Sequence, residues 1–349
     1  MANYINSQLV KQKYGPIKTL GAGCDGTAML YENRSKPGNV IVVKYPNDHE
    51  NKASAAKIKR SMQHELAIMK ALSSSPYVVQ LLGWDDNWKS RGPALFFEYA
   101  ALGDALSYRH RVVDRLGHVP EHVLWVLLSN IAQALNYLHT NFADPFIHGD
   151  IKPDNILVCG YPGHPLEDGD LLHNPIFKLG DFGRSIYASK NTAPTGWNGT
   201  WCYAPPQIEK LGPITPAFDI WALGGIVQFY AYGTHPVIST ANFQDLLIRE
   251  NLFKPENVPD GETLAKIERW NRVWPCKVRD LTDVAYSAEL NRWYLMCMDP
   301  NKVTRITAKD LVTWFVPVAE RHVEYLITKW MADHQEDPQQ QTGPLDWLV

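Results

Sequence analysis

Residues 218–232 read Phe-Asp-Ile-Trp-Ala-Leu-Gly-Gly-Ile-Val-Gln-Phe-Tyr-Ala-Tyr, a stretch that is apolar on all sides. A helix without a polar face is stable only where other elements surround it, so this stretch predicts a helix at the centre of a domain. With 349 residues, 45% of them hydrophobic and 20% charged, the chain can build a sizeable core around it, and global disorder is not expected. No run of about 18 apolar residues occurs, so no membrane insertion is expected. Residues 1–10 lack the apolar core of a signal peptide.

The rest of the chain divides into two halves of different character. Residues 14–45 read as extended, with a glycine-rich turn at 21–26 and a β-branched run at Val40-Ile41-Val42-Val43. Residues 52–72 read as a helix whose apolar stripe is Ile58, Met62, Met69 and Leu72, and Glu65 falls on that stripe. Residues 78–84 and 94–100 look like two further strands. After Gly103 the chain becomes mostly helical, most clearly at 121–139, where Leu124, Leu128, Ile131, Leu135 and Leu138 repeat at helical spacing. Short strands are expected near 156–158 and 177–179. The expected fold class is α+β: a small N-terminal antiparallel β-sheet lobe with one helix, joined near 98–103 to a larger, mainly α-helical C-terminal lobe.

Four elements carry chemistry. Gly21-Ala22-Gly23-Cys24-Asp25-Gly26 allows backbone N–H groups to approach phosphates closely. A strand rather than a helix follows it, so it reads as a flap between strands and not as a dinucleotide turn. Lys44 closes the apolar strand, and a carboxylate at Glu65 on an apolar stripe is costly unless paired; a Lys44–Glu65 pair satisfies it and aims the lysine at phosphates. His148-Gly149-Asp150-Ile151-Lys152-Pro153-Asp154-Asn155 offers a base, a cation and a neutral oxygen ligand. Asp181-Phe182-Gly183 offers a carboxylate for a hard cation, a ring to pack and a pivot.

In this order and spacing the elements resemble the signature set of the eukaryotic protein kinase superfamily, in its serine/threonine type. Gly199-Thr200-x-x-Tyr203-x-x-Pro206, Asp219-Ile220-Trp221-Ala222-Leu223-Gly224 and Asp299-Pro300 with Arg305 extend the likeness. It implies a kinase domain over 14–318, divided into an N-lobe 14–98, a hinge 99–103 and a C-lobe 104–318, with a C-terminal helix and tail at 319–349. It also implies ATP and Mg²⁺, and a protein substrate bearing a serine or threonine hydroxyl. Asp150 is implied as catalytic base, Lys152 as the cation on the transferring phosphoryl group, and Asn155 and Asp181 as holders of Mg²⁺. Lys44, oriented by Glu65, holds the α- and β-phosphates beneath Gly21, Ala22, Gly23 and Gly26. Ala28, Val42, Phe97 (as gatekeeper), Glu98, Ala100 and Leu157 surround the adenine, and Asp104 lies near the ribose. Thr200 is implied to bond Asp150 and Lys152. Phe182, His148, Met69 and Leu81 match the apolar stack that joins the lobes, and the buried central helix is implied to brace the catalytic loop through Asp219.

The sequence departs from the pattern in places. Gly149 stands where an arginine usually precedes the catalytic aspartate, so activity is expected not to depend on phosphorylation between 181 and 207. Gln207 replaces a glutamate that usually pairs with Arg305. His-Gly-Asp is also the form found in small-molecule kinases of the aminoglycoside and choline kinase type, and a pseudokinase scaffold is the alternative from outside enzymology. Residues 160–175 read as an inserted surface loop. Trp84, Trp88 and the Trp197, Trp201 pair are candidates for a docking patch.

A net charge of −3 gives no electrostatic case for a nucleic acid partner. Five widely spaced cysteines without a C-x-x-C pair point away from a disulfide framework and towards a reducing compartment, the cytoplasm or the nucleus.

Overall fold

The computed structural model describes residues 4–23, 26–47, 52–72, 74–160, 175–190, 199–206, 213–237 and 277–334. The expected α+β division is present. A five-stranded antiparallel sheet takes the order β1-β2-β3-β5-β4. Its strands are β1 (Tyr14–Ala22), β2 (Gly26–Asn33), β3 (Val40–Pro46), β4 (Leu81–Asp85) and β5 (Ala94–Phe97). The helices are α1 (Ser7–Lys13), α2 (Lys52–Ala71), α3 (Ala105–Leu116), α4 (Glu121–Thr140), α5 (Pro216–Tyr232), α6 (Ala288–Cys297) and α7 (Val316–His334). Two small hairpin-like pairs complete it: β6 (Phe146–Ile147) with β9 (Ile186–Tyr187), and β7 (Ile156–Cys159) with β8 (Ile176–Leu179).

The period-two alternation of β3 decides what each face of the sheet does. Ile41, Val43 and Tyr45 are buried on the outer face, in a core shared with Val10, Tyr14, Tyr31, Trp88, Ala94 and Phe96. Val42 and Lys44 occupy the alternate positions and are only partly buried. On α2 the stripe Ile58, Met62, Met69 and Leu72 is buried in the main core, as its spacing predicts.

Every residue from Phe218 to Tyr230 on α5 is buried. Each large apolar side chain removed from water contributes roughly 1.5–3 kcal/mol, so this helix anchors the C-lobe. Gln228, a buried amide on this helix, has its partners, whereas the Trp221 indole N–H has none among the described residues. Gln228 donates to the Lys277 carbonyl (3.0 Å) and accepts from the Arg279 N–H (3.1 Å) and the Tyr294 hydroxyl (2.6 Å). Arg305 donates to the carbonyls of Asp299 (2.9 Å) and Ala217 (2.7 Å) and lies over the Trp221 ring. Gln207, with most of 160–175, Trp197 and the tail beyond His334, lies outside the described residues.

Two sequence expectations change. Trp88 is 3% exposed and forms part of the outer core, while Trp84 lies beneath Lys70 (3.8 Å) and against the Tyr4 ring. Packing thus consumes the Trp88 ring, and the Trp84 ring is partly covered. The helix α1 was not expected at all. Its Val10 is fully buried, Lys11 pairs with Asp85 at 2.5 Å, and Ile5 forms a parallel bridge with Gly83. The segment 4–13 thus covers the outer face of the sheet at β4.

A Cβ on Gly83 would stand 2.4 Å from the Ile5 carbonyl oxygen, well inside any permitted contact. Gly83→Ala should therefore lift the segment from the sheet. Limited trypsin digestion should cut after Lys11 or Lys13 at least several times faster than in the wild type. Equal cutting rates would show that the bridge does not hold the segment.

Candidate active site

The site assembles where β3, α2, the catalytic loop 148–155 and the segment 180–185 converge. Lys44 leaves the cleft-facing side of β3, and its Nζ lies 2.8 Å from both Oε1 and Oε2 of Glu65. Glu65 is 2% exposed, so the lysine answers the carboxylate that the α2 stripe buries. The same ammonium donates to Asp181 Oδ1 at 2.9 Å. Burial disfavours the charged form of Lys44, but the charges of Glu65 and Asp181 and their hydrogen bonds outweigh it and raise its pKa. Burial works against the Asp181 carboxylate in the same way. Lys44, by charge and hydrogen bond, prevails and holds that carboxyl below the usual range.

Asp181 has a left-handed backbone (φ 56°, ψ 73°), a sparsely populated state for a residue with a side chain. The conformation turns its carboxylate outwards while the next residue, Phe182, enters the core. The Phe182 ring meets the His148 ring at 4.9 Å, edge to face, and His148 Nε2 lies 3.0 Å from the Gly180 carbonyl. Met69 and Leu81, the other members of the expected stack, are buried in the same core.

Asp219 of α5 organises the catalytic loop. It is 1% exposed and accepts from the N–H of His148 (Oδ2, 2.9 Å), the N–H of Gly149 (Oδ1, 2.9 Å) and Nε2 of His139 (2.9 Å). Gly149 adopts φ +78°, which lets consecutive N–H groups point at one carboxylate. Asp150 follows, buried, with Oδ1 accepting from the N–H (2.8 Å) and the hydroxyl (2.7 Å) of Thr200. Its Oδ2 faces Lys152 Nζ at 3.8 Å and Arg184 Nη1 at 3.6 Å. Asn155 Nδ2 donates to the Asp150 carbonyl (2.9 Å) and lies 3.4 Å from Oδ2.

With its nitrogen spent on Asp150, the Asn155 amide has its oxygen to offer a hard cation, and Asp181 offers a carboxylate. Among the described residues no cluster of three or more His, Cys, Asp or Glu could hold a metal. Two oxygen donors fit Mg²⁺, which completes its shell with waters and phosphate oxygens.

The glycine turn lies between paired strands, with Gly21 opposite Ala28 and Ala22 opposite Thr27. Gly23 donates to the Gly26 carbonyl (2.9 Å), and Asn47 donates to the Gly23 carbonyl (2.7 Å) while accepting from Thr27 (2.6 Å). Cys24 and Asp25 lie outside the described residues. Val42 pairs with Phe97 across β3 and β5. Glu98 and Ala100 follow at the lobe junction, and Asp104 bridges to Leu157 of β7. Asp104 caps α3: its carboxylate accepts from the N–H (2.7 Å) and the hydroxyl (3.0 Å) of Ser107.

Comparison with known proteins agrees with this arrangement. A family model described as protein kinase domain matches residues 14–315. The chain belongs to the protein kinase family. It is 27% identical over 279 residues to U-box domain-containing protein 52 of Arabidopsis thaliana, covering 77% of this chain and 28% of that protein. To serine/threonine-protein kinase 36 of Pongo abelii it is 27% identical over 251 residues, 71% of this chain and 17% of the other. To the Aurora kinase of Schizosaccharomyces pombe it is 30% identical over 219 residues, 63% of this chain and 54% of the other. The chain thus spans little more than a quarter of the first of these relatives and about a sixth of the second. In fold it is similar to a chain of the CAK complex of Chaetomium thermophilum bound to ATP-gamma-S (TM-score 0.63, 20% identity, covering 96% of this chain and 95% of that one).

The kinase site contains groups that its motifs did not announce. His139 reaches Asp219 across 80 residues of sequence, Arg184 stands beside Asp150, and Asn47 ties down the glycine turn. None has a local sequence signal; each is found only through its long-range partner.

Replacing Asp219 by Asn puts an amide N–H₂ where backbone donors now point. Asp219→Asn should cost about 3–5 kcal/mol, the range for removing one side of a buried charged network. Urea denaturation followed by tryptophan fluorescence measures this. A loss below about 1 kcal/mol would show that Asp219 does not brace the loop.

Proposed function

We propose that this chain is an active serine/threonine protein kinase that transfers the γ-phosphoryl group of Mg-ATP to a protein hydroxyl. The observation that carries the reading is the convergence of Lys44, Glu65, Asp181, Asp150, Lys152 and Asn155, drawn from four separate segments, on one cleft. A scaffold that only binds has no need for a lysine with two carboxylate partners facing a second lysine and a buried aspartate. The kinase domain is drawn as 14–318.

Phosphoryl transfer needs positioning and charge neutralisation more than covalent catalysis. Lys44, fixed by Glu65, would leave Asp181 for the α- and β-phosphates under the glycine turn. Asn155 and Asp181 would hold Mg²⁺ against the phosphates; when bound, the ion neutralises charge that develops on them. Lys152 would meet the charge on the transferring group. Asp150 has Oδ1 committed to Thr200 and Oδ2 available to orient the acceptor hydroxyl and take its proton. Lys152 two residues after the base, with Gly199-Thr200 facing it, favours serine and threonine as acceptors. Residues 98–100 would read the adenine, with Ala28, Val42 and Leu157 around it.

Transfer from labelled Mg-ATP to a generic basic protein is the test. Asp150→Asn should lower transfer to serine or threonine by at least about 100-fold. ATP binding without transfer in either protein would point to a pseudokinase. Transfer to an aminoglycoside or to choline, and not to protein, would point to the small-molecule reading.

Gly149 supports a second element: activity without activation-loop phosphorylation. A glycine provides no cation to order a phosphate beside Asp150. Phosphatase treatment should leave the rate within about twofold of the untreated enzyme. A large loss, restored by rephosphorylation within 181–207, would overturn it.

A further inference from the structure

Glu98, the first residue after β5, has a partner that no motif predicts. Its carboxylate lies 2.7 Å from Lys178 Nζ through each of its two oxygens, and Oε1 also accepts from the N–H of Gln80 at 2.7 Å. The Glu98 N–H in turn donates to the Gln80 carbonyl (3.1 Å). Glu98 is thus held both to the strand entry on the N-lobe side and to β8 on the C-lobe side. The two side chains are mostly buried, 22% and 16% exposed, so water screens the pair less than it would a surface ion pair.

The place of Lys178 gives the pair its meaning. Lys178 is directly opposite Leu157 in the β7–β8 pairing. Paired residues of an antiparallel ladder project from the same face. The burial of both strands alternates to match: Ile156, Val158, Phe177 and Leu179 enter the core, while Leu157 and Lys178 are partly exposed on the other face. Lys178 therefore rises beside the residue that floors the nucleotide cleft and reaches Glu98, the residue that leads into the hinge.

The far end of the hinge is stitched to the same hairpin. Leu102 N–H donates to the Val158 carbonyl (3.1 Å), and Val158 N–H donates to the Gly103 carbonyl (2.8 Å). Only residues 99–101 lie between the two attachments. The spacing between the hinge backbone and Leu157, which an adenine ring must match, is thus set at one end by backbone bonds and at the other by a side-chain ion pair.

Resting on the kinase reading above, we infer that Lys178 is a positioning residue for the nucleotide, acting through Glu98 to hold the hinge at the distance from Leu157 that an adenine fills. It touches neither phosphates nor the acceptor, so its loss weakens nucleotide binding without slowing the chemical step. Arginine keeps the charge and the reach and retains the function.

The full-length chain is compared as wild type, Lys178→Met and Lys178→Arg. Calorimetry with MgADP gives affinity without any need for turnover, and steady-state transfer gives KM for ATP and kcat. Lys178→Met should weaken ADP binding and raise KM for ATP by about tenfold, with kcat within about twofold of wild type; Lys178→Arg should recover most of the loss. Unchanged affinity in Lys178→Met overturns the inference. So does a fall in kcat and melting temperature at unchanged KM, which marks a structural role only, or an equal loss of affinity in Lys178→Arg. Weakened ADP binding with no transfer by any of the three proteins upholds the clamp and refutes the enzyme. A wild type that does not bind MgADP refutes both.

Discussion

One buried carboxylate governs the catalytic loop. Asp219 sits on a helix surrounded by other elements on every side, and burying it alone would cost several kcal/mol. Three donors repay that cost, and all come from residues that lead to or lie in the catalytic loop: His139 near the end of α4, His148 and Gly149. The exchange is reciprocal. Two consecutive backbone N–H groups of a loop find the acceptor that no secondary structure supplies, and the helix finds donors it could not reach by itself. Asp150 is the next residue, so its placement follows from the packing of α5 in the C-lobe core.

The N-lobe repeats the device, with an ammonium in place of the backbone donors. Glu65 is the polar group that an apolar helix stripe buries, and Lys44 is its answer from β3. Lys44 then extends to Asp181, 137 residues further along the chain, so one ammonium couples sheet, helix and C-lobe. A phosphate entering the cleft would compete with Asp181 for that ammonium. Burial opposes the Asp181 carboxylate, but the charge and hydrogen bond of Lys44 hold its carboxyl below the usual range. Asp181 is the exposed member of the trio, with 52% of its side chain accessible against 3% for Glu65, so the exchange can occur at Asp181 without disturbing Glu65.

What the sequence discloses and what it conceals divide along physical lines. The Lys44–Glu65 pair is legible because a carboxylate on the stripe of Ile58, Met62, Met69 and Leu72 demands a partner, and a lysine closes the preceding strand. The central helix is legible because 218–232 has no face to give to water. The segment α1 is not, because its seven residues present one buried apolar side chain, Val10, and no periodicity can be read from one position. His139, Arg184 and Lys178 escape for another reason. Each acquires its role from a partner dozens of residues away in sequence, and a polar residue beside an apolar run looks the same whether it meets solvent or a buried carboxylate. The tryptophans mislead in the opposite direction: a large ring is conspicuous in a sequence, yet Trp88 does no more than fill the outer core beneath α1.

Gly149 shows how a departure from a family pattern can be read on conformational grounds. A Cβ at this position would meet the Arg184 carbonyl oxygen at 3.5 Å, an ordinary contact, so space does not require glycine. Conformation does favour it: at φ +78° a residue with a side chain bears a strain of roughly 1–2 kcal/mol, and glycine bears none. An arginine here would bear that strain and bring a cation; glycine relinquishes both. The backbone that serves Asp219 is then relaxed without help from a charged partner. The cations at Asp150 come instead from Lys152, within the catalytic loop, and from Arg184, just past the Asp181 turn. Neither needs a phosphate to bring it there, and this is the physical ground on which phosphorylation-independent activity is proposed.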